Sequence, residues 1–248
     1  MHYDYLALAR DTLDRITTEQ LANVDAAVDV IAESMLAGGV LQAFGTGHSR
    51  IVVHEMSGRA GGLLPVNLVR ISDLSVYGDL DPKDLLDPTL ERNPAFAQSV
   101  YDLIGAQRAD PFLIVSNSGI NGSVVEMARI VKENGHKLVV ITSLQHSSQV
   151  DTRAASGQKL YEYGDVVIDS GAPAGDAALE LEDGTRTGAI SNLAGVFIVQ
   201  LLTEGICRKY IDAGERPPVY RSMNLPDGDT VNQAFEAQYA GRIRPIEP

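Results

Sequence analysis

Residues 112–123 read Phe-Leu-Ile-Val-Ser-Asn-Ser-Gly-Ile-Asn-Gly-Ser. An apolar run ends abruptly in hydroxyls, amides and glycines. A helical pattern follows at once through Val124, Val125, Met127, Ala128, Ile130 and Val131. This is the signature of a buried strand, a turn and a helix N-terminus. The first turn of a helix leaves backbone N–H groups unpaired at the positive end of its dipole. Glycine lets a ligand approach the backbone, and Ser116, Ser118 and Ser123 carry O–H donors. Such a loop accommodates a phosphate without a lysine. An ordinary strand-to-helix turn with a serine cap draws on the same residues.

The arrangement occurs a second time. Val40–Phe44 is a short apolar run, followed by Gly45-Thr46-Gly47-His48-Ser49 and a helical pattern from about Ile51. Two polar turns at the same end of two parallel strands face one ligand, because open α/β sheets bind ligands beyond the carboxyl ends of their strands.

Working outward, five apolar, mostly β-branched runs stand at Val40–Phe44, Val66–Ile71, Phe112–Val115, Leu138–Ile141 and Val166–Ile168. Helical patterns separate most of them, near 51–60, 94–107, 123–134 and 148–156. This alternation predicts an α/β fold, a parallel five-stranded sheet with helices on both faces. Two helical stripes precede it within residues 4–36, and Gly38-Gly39 ends them as a helix stop does. A long helix spans Ser191–Tyr210. Residues 73–93, rich in Asp, Leu and Pro, form either a surface loop or an active-site cover. The Pro-rich tail, residues 215–248, reads as a segment that packs across a neighbouring subunit.

The chain has 248 residues and a net charge of −13. It is long enough for one large α/β domain, and the charge speaks against a nucleic-acid partner. A small phosphorylated ligand remains compatible, since local dipoles and hydroxyls hold it. Cys207 is the one cysteine, so no internal disulfide forms. Its apolar helical context favours a packed thiol over a nucleophile. The N-terminal Met-His-Tyr-Asp-Tyr has no basic region followed by an apolar core, and no apolar stretch is long enough for a membrane span. A cytoplasmic protein without a membrane partner is expected. The histidines at 2, 48, 54, 136 and 146 show no metal-ligand spacing, and no metal or other cofactor is expected.

With Gly45-Thr46-Gly47-His48-Ser49, Ser116-Asn117-Ser118-Gly119, Thr142-Ser143 and Thr185-Arg186-Thr187-Gly188, the chain resembles the sugar isomerase (SIS) domain family over roughly residues 20–210. The overall pattern is similar to the UPF0309 type, between phosphoheptose isomerases and N-acetylmuramic acid 6-phosphate etherases. The resemblance implies a flavodoxin-like three-layer α/β/α sandwich. It divides the chain into an N-terminal helical segment packing in a dimer (1–37), the SIS domain (38–214) and the tail (215–248). It also implies a sugar-phosphate ligand at a homodimer interface, with a tetramer as the larger alternative. Phosphate and sugar contacts then fall on Gly47, His48, Ser49, Ser116, Asn117, Ser118, Gly119, Asn121 and Ser123, and on Arg186, Asn192 and Arg221.

Glu55, in His54-Glu55-Met56-Ser57-Gly58-Arg59, matches an acid–base Glu of both related groups. A carboxylate beside a sugar C2–C3 bond moves a proton when its surroundings suit. The alternative for Glu55 is a surface carboxylate paired with Arg59 at i+4. His54 and His48 flank the same region, in structural or proton-shuttling roles. Ile51 stands where heptose isomerases carry a histidine, and Asn192 matches the second such position. A zinc site there loses both imidazoles, which leans toward metal-free elimination. Glu182 resembles the base ahead of a Ser-Thr-Lys turn in the related synthase domain, or is exposed loop; Arg186 follows it. Glu91, and Arg221 with Ser222 and Asn224 in the tail, are candidates to enter the site from a partner subunit. The expected activity is dehydration of N-acetylglucosamine 6-phosphate, with isomerisation of a sugar phosphate, or sensing without turnover, as alternatives.

Overall fold

The computed structural model describes residues 3–245. The chain begins with α1 (Tyr5–Glu19) and α2 (Leu21–Leu36), then β1 (Leu41–Gly45), α3 (Arg50–Glu55), β2 (Val66–Val69) and α4 (Asp73–Val76). It continues with α5 (Ala95–Ile104), β3 (Phe112–Val115), α6 (Gly122–Glu133), β4 (Leu138–Thr142), α7 (Leu144–Gln149) and β5 (Val166–Asp169). A hairpin, β6 (Ala177–Glu180) and β7 (Arg186–Ala189), precedes α8 (Ser191–Asp212) and α9 (Gly228–Glu236).

All five runs form one parallel sheet in the order β2-β1-β3-β4-β5, the flavodoxin-like order. Alternation along each strand builds two cores. Leu41, Ala43, Leu113, Val115, Val139 and Ile141 face α2, α3 and α8. Phe44, Phe112, Ile114, Leu138 and Val140 face α5 and α6. Because both faces are covered, the strands read as continuous apolar runs. Ile16, Val24, Val28, Ile31 and Met35 are buried in the first core. The N-terminal helices therefore belong to this chain's own sandwich.

Three expectations differ from the structure. The helix over 51–60 stops at Glu55, before Gly58 and Gly61, which sit at φ 72° and 86°. The pattern at 148–156 is the end of a helix over 144–149, after which Val150 turns extended. Residues 177–189 form a β-hairpin rather than a loop leading into the last helix.

The tail, expected from sequence to pack over a neighbouring subunit, makes these contacts with its own chain. Leu63 and Val219 form an antiparallel bridge, and Leu64 N–H donates to Pro218 O at 2.8 Å. Arg242 donates to Gly38 O at 2.7 Å and pairs with Asp110; Arg244 Nη1 donates to Asp73 Oδ2 at 2.8 Å. Both carboxylates are buried, so each arginine supplies a charge that the interior cannot replace with water.

Beside Asp110, buried His136 bonds Asp110 O through Nδ1 at 2.9 Å and Tyr101 Oη through Nε2 at 2.8 Å. Burial pushes its imidazole below the usual histidine range. A neutral ring satisfies both contacts, with Nδ1–H donating and Nε2 accepting from the tyrosine O–H. Below about pH 6.5 the unfolded chain binds this proton and the folded chain resists it, so stability falls as pH drops through that value. Thermal melts at pH 7 and pH 5.5 are expected to show the loss, and part of it should vanish in His136→Phe. Burial moves His146 the same way, so the variant removes only a share.

Among the described residues, no helix is long and apolar enough to cross a membrane.

Candidate functional site

The strand order reverses direction between β1 and β3, which opens a crevice at their carboxyl ends. The turns 45–49 and 116–119 flank it. The second turn is pinned from the β4 side. Ser143 N–H donates to Asn117 O at 3.0 Å, Ser147 Oγ to Ser118 O at 2.6 Å, and Leu160 N–H to Gly119 O at 2.9 Å. Ser116 Oγ accepts Gly119 N–H at 3.2 Å. Ser118 and Asn117 remain half-buried at the crevice, while Gly47 and His48 are exposed at its mouth and Ser49 is half-buried. His146, on α7, approaches Asn117, with Nδ1 3.4 Å from Nδ2.

Glu91 lies inside the crevice and is supplied by this chain itself, a correction to its expected entry from a partner. Its Oε1 accepts Asn121 Nδ2 at 2.8 Å, and its backbone O accepts Ser123 Oγ at 2.6 Å. Two glycines make room for it. A methyl at Gly122 would meet Arg92 O at 2.3 Å, and one at Gly47 would meet Glu91 Oε2 at 3.0 Å. The segment 87–94 therefore closes onto both polar turns. Of residues 73–93, the C-terminal end packs against these turns. Two expected phosphate ligands are engaged within the chain. The Ser123 hydroxyl is fully buried and engaged with Glu91 O. The Asn121 amide is divided between Glu91 and Arg153 Nη1, the latter at 2.5 Å from Oδ1.

Glu55 stands apart, at the far end of α3, about 8 Å along the helix from Arg50. Its Oε1 receives both Arg59 and Gln200 Nε2, the latter at 2.8 Å. The Glu55 side chain is 21% exposed and that of Arg59 55%. The i+4 ion pair is thus the arrangement formed. The residue of α8 opposite Glu55 is Gln200. Asn192, expected at the second histidine position, lies eight residues earlier, about 12 Å up the helix. Ile51 and His54 are exposed on α3. The resulting set of an ion-paired carboxylate, an amide and an isoleucine does not fit the metal of a heptose isomerase-like centre. Among the described residues no three His, Cys, Asp or Glu side chains cluster as ligands; His2 lies outside them.

Three further candidates are placed elsewhere. Glu182 is exposed in the β6–β7 turn, and Arg186 is spent within the hairpin on Glu180, at 3.1 Å, and Ala177 O. Arg221 pairs with Asp227 and lines a cavity of about 730 Å³ between α9 and residues 58–64, together with Arg59, Tyr220 and Arg244. Asp176 anchors the hairpin base. It adopts φ 66°, and its carboxylate accepts Ile190 and Ser191 N–H at 3.1 and 2.8 Å, fixing the start of α8. Cys207 is half-buried, and burial pushes its thiol up, as suits a packing residue.

Sequence reasoning missed Gln200, His146 and Arg153. Gln200 meets Glu55 only through the packing of α3 on α8, across 145 residues of sequence. Arg153 and His146 sit in stretches without a motif.

Comparison with known proteins follows the same lines. The SIS domain family matches residues 4–143. A UPF0309 protein of Listeria monocytogenes is 34% identical over 237 residues, covering 95% of each chain. One of Streptomyces coelicolor is 34% identical over 240 residues, covering 96% of this chain and 95% of its own. In three dimensions, a phosphoheptose isomerase from Francisella tularensis superposes with a TM-score of 0.56 at 14% identity, covering 83% of this chain and 95% of that one. At that identity the likeness is one of fold.

Proposed function

Since the chain belongs to the SIS domain family, and within it to the UPF0309 proteins, we propose that it binds a sugar phosphate in the crevice between β1 and β3 and acts on it as a lyase. The substrate of this reading is N-acetylglucosamine 6-phosphate, and the products are water and an unsaturated sugar phosphate. The observation that carries it is the position of Glu91, a carboxylate held between the two polar turns by Asn121 and Ser123.

The phosphate rests on the 116–119 turn, against the half-buried Asn117 and Ser118. The open-chain aldehyde then lies along the crevice. Glu91 Oε2 takes the proton from C2, and the electron pair of that C–H bond moves into a C1–C2 enolate. The C3–O bond breaks as the enolate collapses. Glu91 returns the proton it took from C2 to the C3 oxygen, which leaves as water, so that C2=C3 becomes the new double bond conjugated with C1. Asn121 positions the base; Ser123 fixes its backbone. The contribution of such a placed base is commonly about 10²–10⁴-fold. Glu55, bonded to Arg59 and Gln200 at the far end of α3, is not the base in this reading.

Incubation of the purified protein with N-acetylglucosamine 6-phosphate is expected to give a product lighter by one water, read by mass spectrometry. Ser118→Ala is expected to raise KM with little change in kcat, since it removes a contact made equally in ground and transition states. Turnover of a heptose phosphate with no mass change in the hexosamine phosphate overturns the lyase reading in favour of isomerisation. Saturable binding without turnover of either identifies a sensor.

A further inference from the structure

We propose that Arg153 is the cation that receives the substrate's phosphate, a role that rests on the reading just given. The crevice poses an electrostatic problem. It carries the Glu91 carboxylate, in a chain of net charge −13, and must admit a dianion beside it. The serine turn offers dipoles and hydroxyls, which do not cancel a full negative charge.

Arg153 supplies what is missing. Its Nη1 donates to Asn121 Oδ1 at 2.5 Å, while the same amide donates through Nδ2 to Glu91 Oε1 at 2.8 Å. The carboxylate and the guanidinium are thus held on the two ends of one buried side chain. The Arg153 backbone N–H donates to Ile120 O at 3.0 Å, which ties residue 153 to the end of the serine turn. Most arginines of this chain pair with a carboxylate: Arg59, Arg70, Arg129, Arg186, Arg208, Arg221, Arg242 and Arg244 all do. Among the described residues Arg153 forms no ion pair, and its one side-chain bond leaves most of its five N–H donors for a ligand. A guanidinium presents these in a planar fork that matches two phosphate oxygens.

The arrangement also divides the labour in the crevice. Asn121 keeps base and anchor apart, so that the phosphate is drawn to the 116–121 side while Glu91 Oε2 stays against Gly47, facing the other turn. The ligand class is a phosphate monoester in which the reacting carbons lie on the Gly47 side of the anchor.

Calorimetric titration of N-acetylglucosamine 6-phosphate into the full-length wild type, Arg153→Gln, Arg153→Lys and Ser118→Ala tests this. Arg153→Gln is expected to weaken binding about ten- to hundredfold, the scale of one charged hydrogen-bonding partner. Arg153→Lys is expected to recover part of it, because charge returns without the fork. The melting temperature without ligand should be unchanged, since Arg153 is exposed. Arg153→Gln binding as tightly as wild type while Ser118→Ala is weakened overturns the role of Arg153 and leaves the crevice reading standing. Equal binding by all variants overturns the crevice reading itself. A weakened Arg153→Gln with a lowered melting temperature, and no recovery in the lysine variant, reduces Arg153 to a structural tie and also overturns the proposal.

Discussion

Glu91→Gln is expected to lower kcat about 10²–10⁴-fold while KM and the melting temperature stay near their wild-type values. Glutamine keeps an acceptor for Asn121 Nδ2, so the crevice retains its shape. Only the ability to take a proton is lost. Glu55→Gln is expected to cost no more than about tenfold, an indirect effect through Arg59 and Gln200. The comparison discriminates sharply, because the sequence alone favours Glu55. A variant series in which Glu55→Gln is the inactive one returns the base to α3.

The largest effect on stability is expected at Asp110. Its carboxylate accepts Val40 N–H at 2.9 Å, Gln42 Nε2 at 3.0 Å and Gln107 N–H at 2.9 Å, and pairs with Arg242 of the tail. Asp110→Ala strips several buried donors of their acceptor and leaves Arg242 without its ion partner. Loss of one member of a buried pair costs about 3–5 kcal/mol, which lowers the melting temperature by roughly 10 °C for a chain of this size. Arg242→Met should cost less, and the double variant less than the sum, because the two residues share one network. Additive losses would mean that tail and sheet are held independently.

The sheet was legible because its strands are buried on both faces. Val66–Val69, Phe112–Val115 and Leu138–Thr142 have no polar residue on their helix-facing sides except Asn67 and Thr142, and such runs admit few other readings. The exceptions are informative. Asn67 Nδ2 donates to Gln42 Oε1, and Gln42 in turn to Asp110, so these polar strand residues reach toward the tail that covers them. The β6–β7 hairpin was not legible. Its strands are four residues each, half-buried or exposed throughout, and Thr187-Gly188 reads as a turn on composition.

The two polar turns were equally plain, since a serine- and glycine-rich break after a buried strand has a single topological meaning in a parallel sheet. The distribution of roles within them was not. Ser123 and Asn121 have the composition of ligand contacts, yet the structure spends both on holding Glu91. No local pattern reports a bond between residues thirty positions apart. The same limit hid Arg153, whose meaning comes only from Asn121. Glu55 shows the reverse: its motif is conspicuous, and its partners are the ordinary ones of a helix flank.

A crystal structure with N-acetylglucosamine 6-phosphate bound decides where the ligand sits. The phosphorus is expected between the 116–119 turn and Arg153, with C2 within reach of Glu91 Oε2. A phosphate lodged instead in the cavity beside Arg59 and Arg221, with the crevice empty, contradicts this placement.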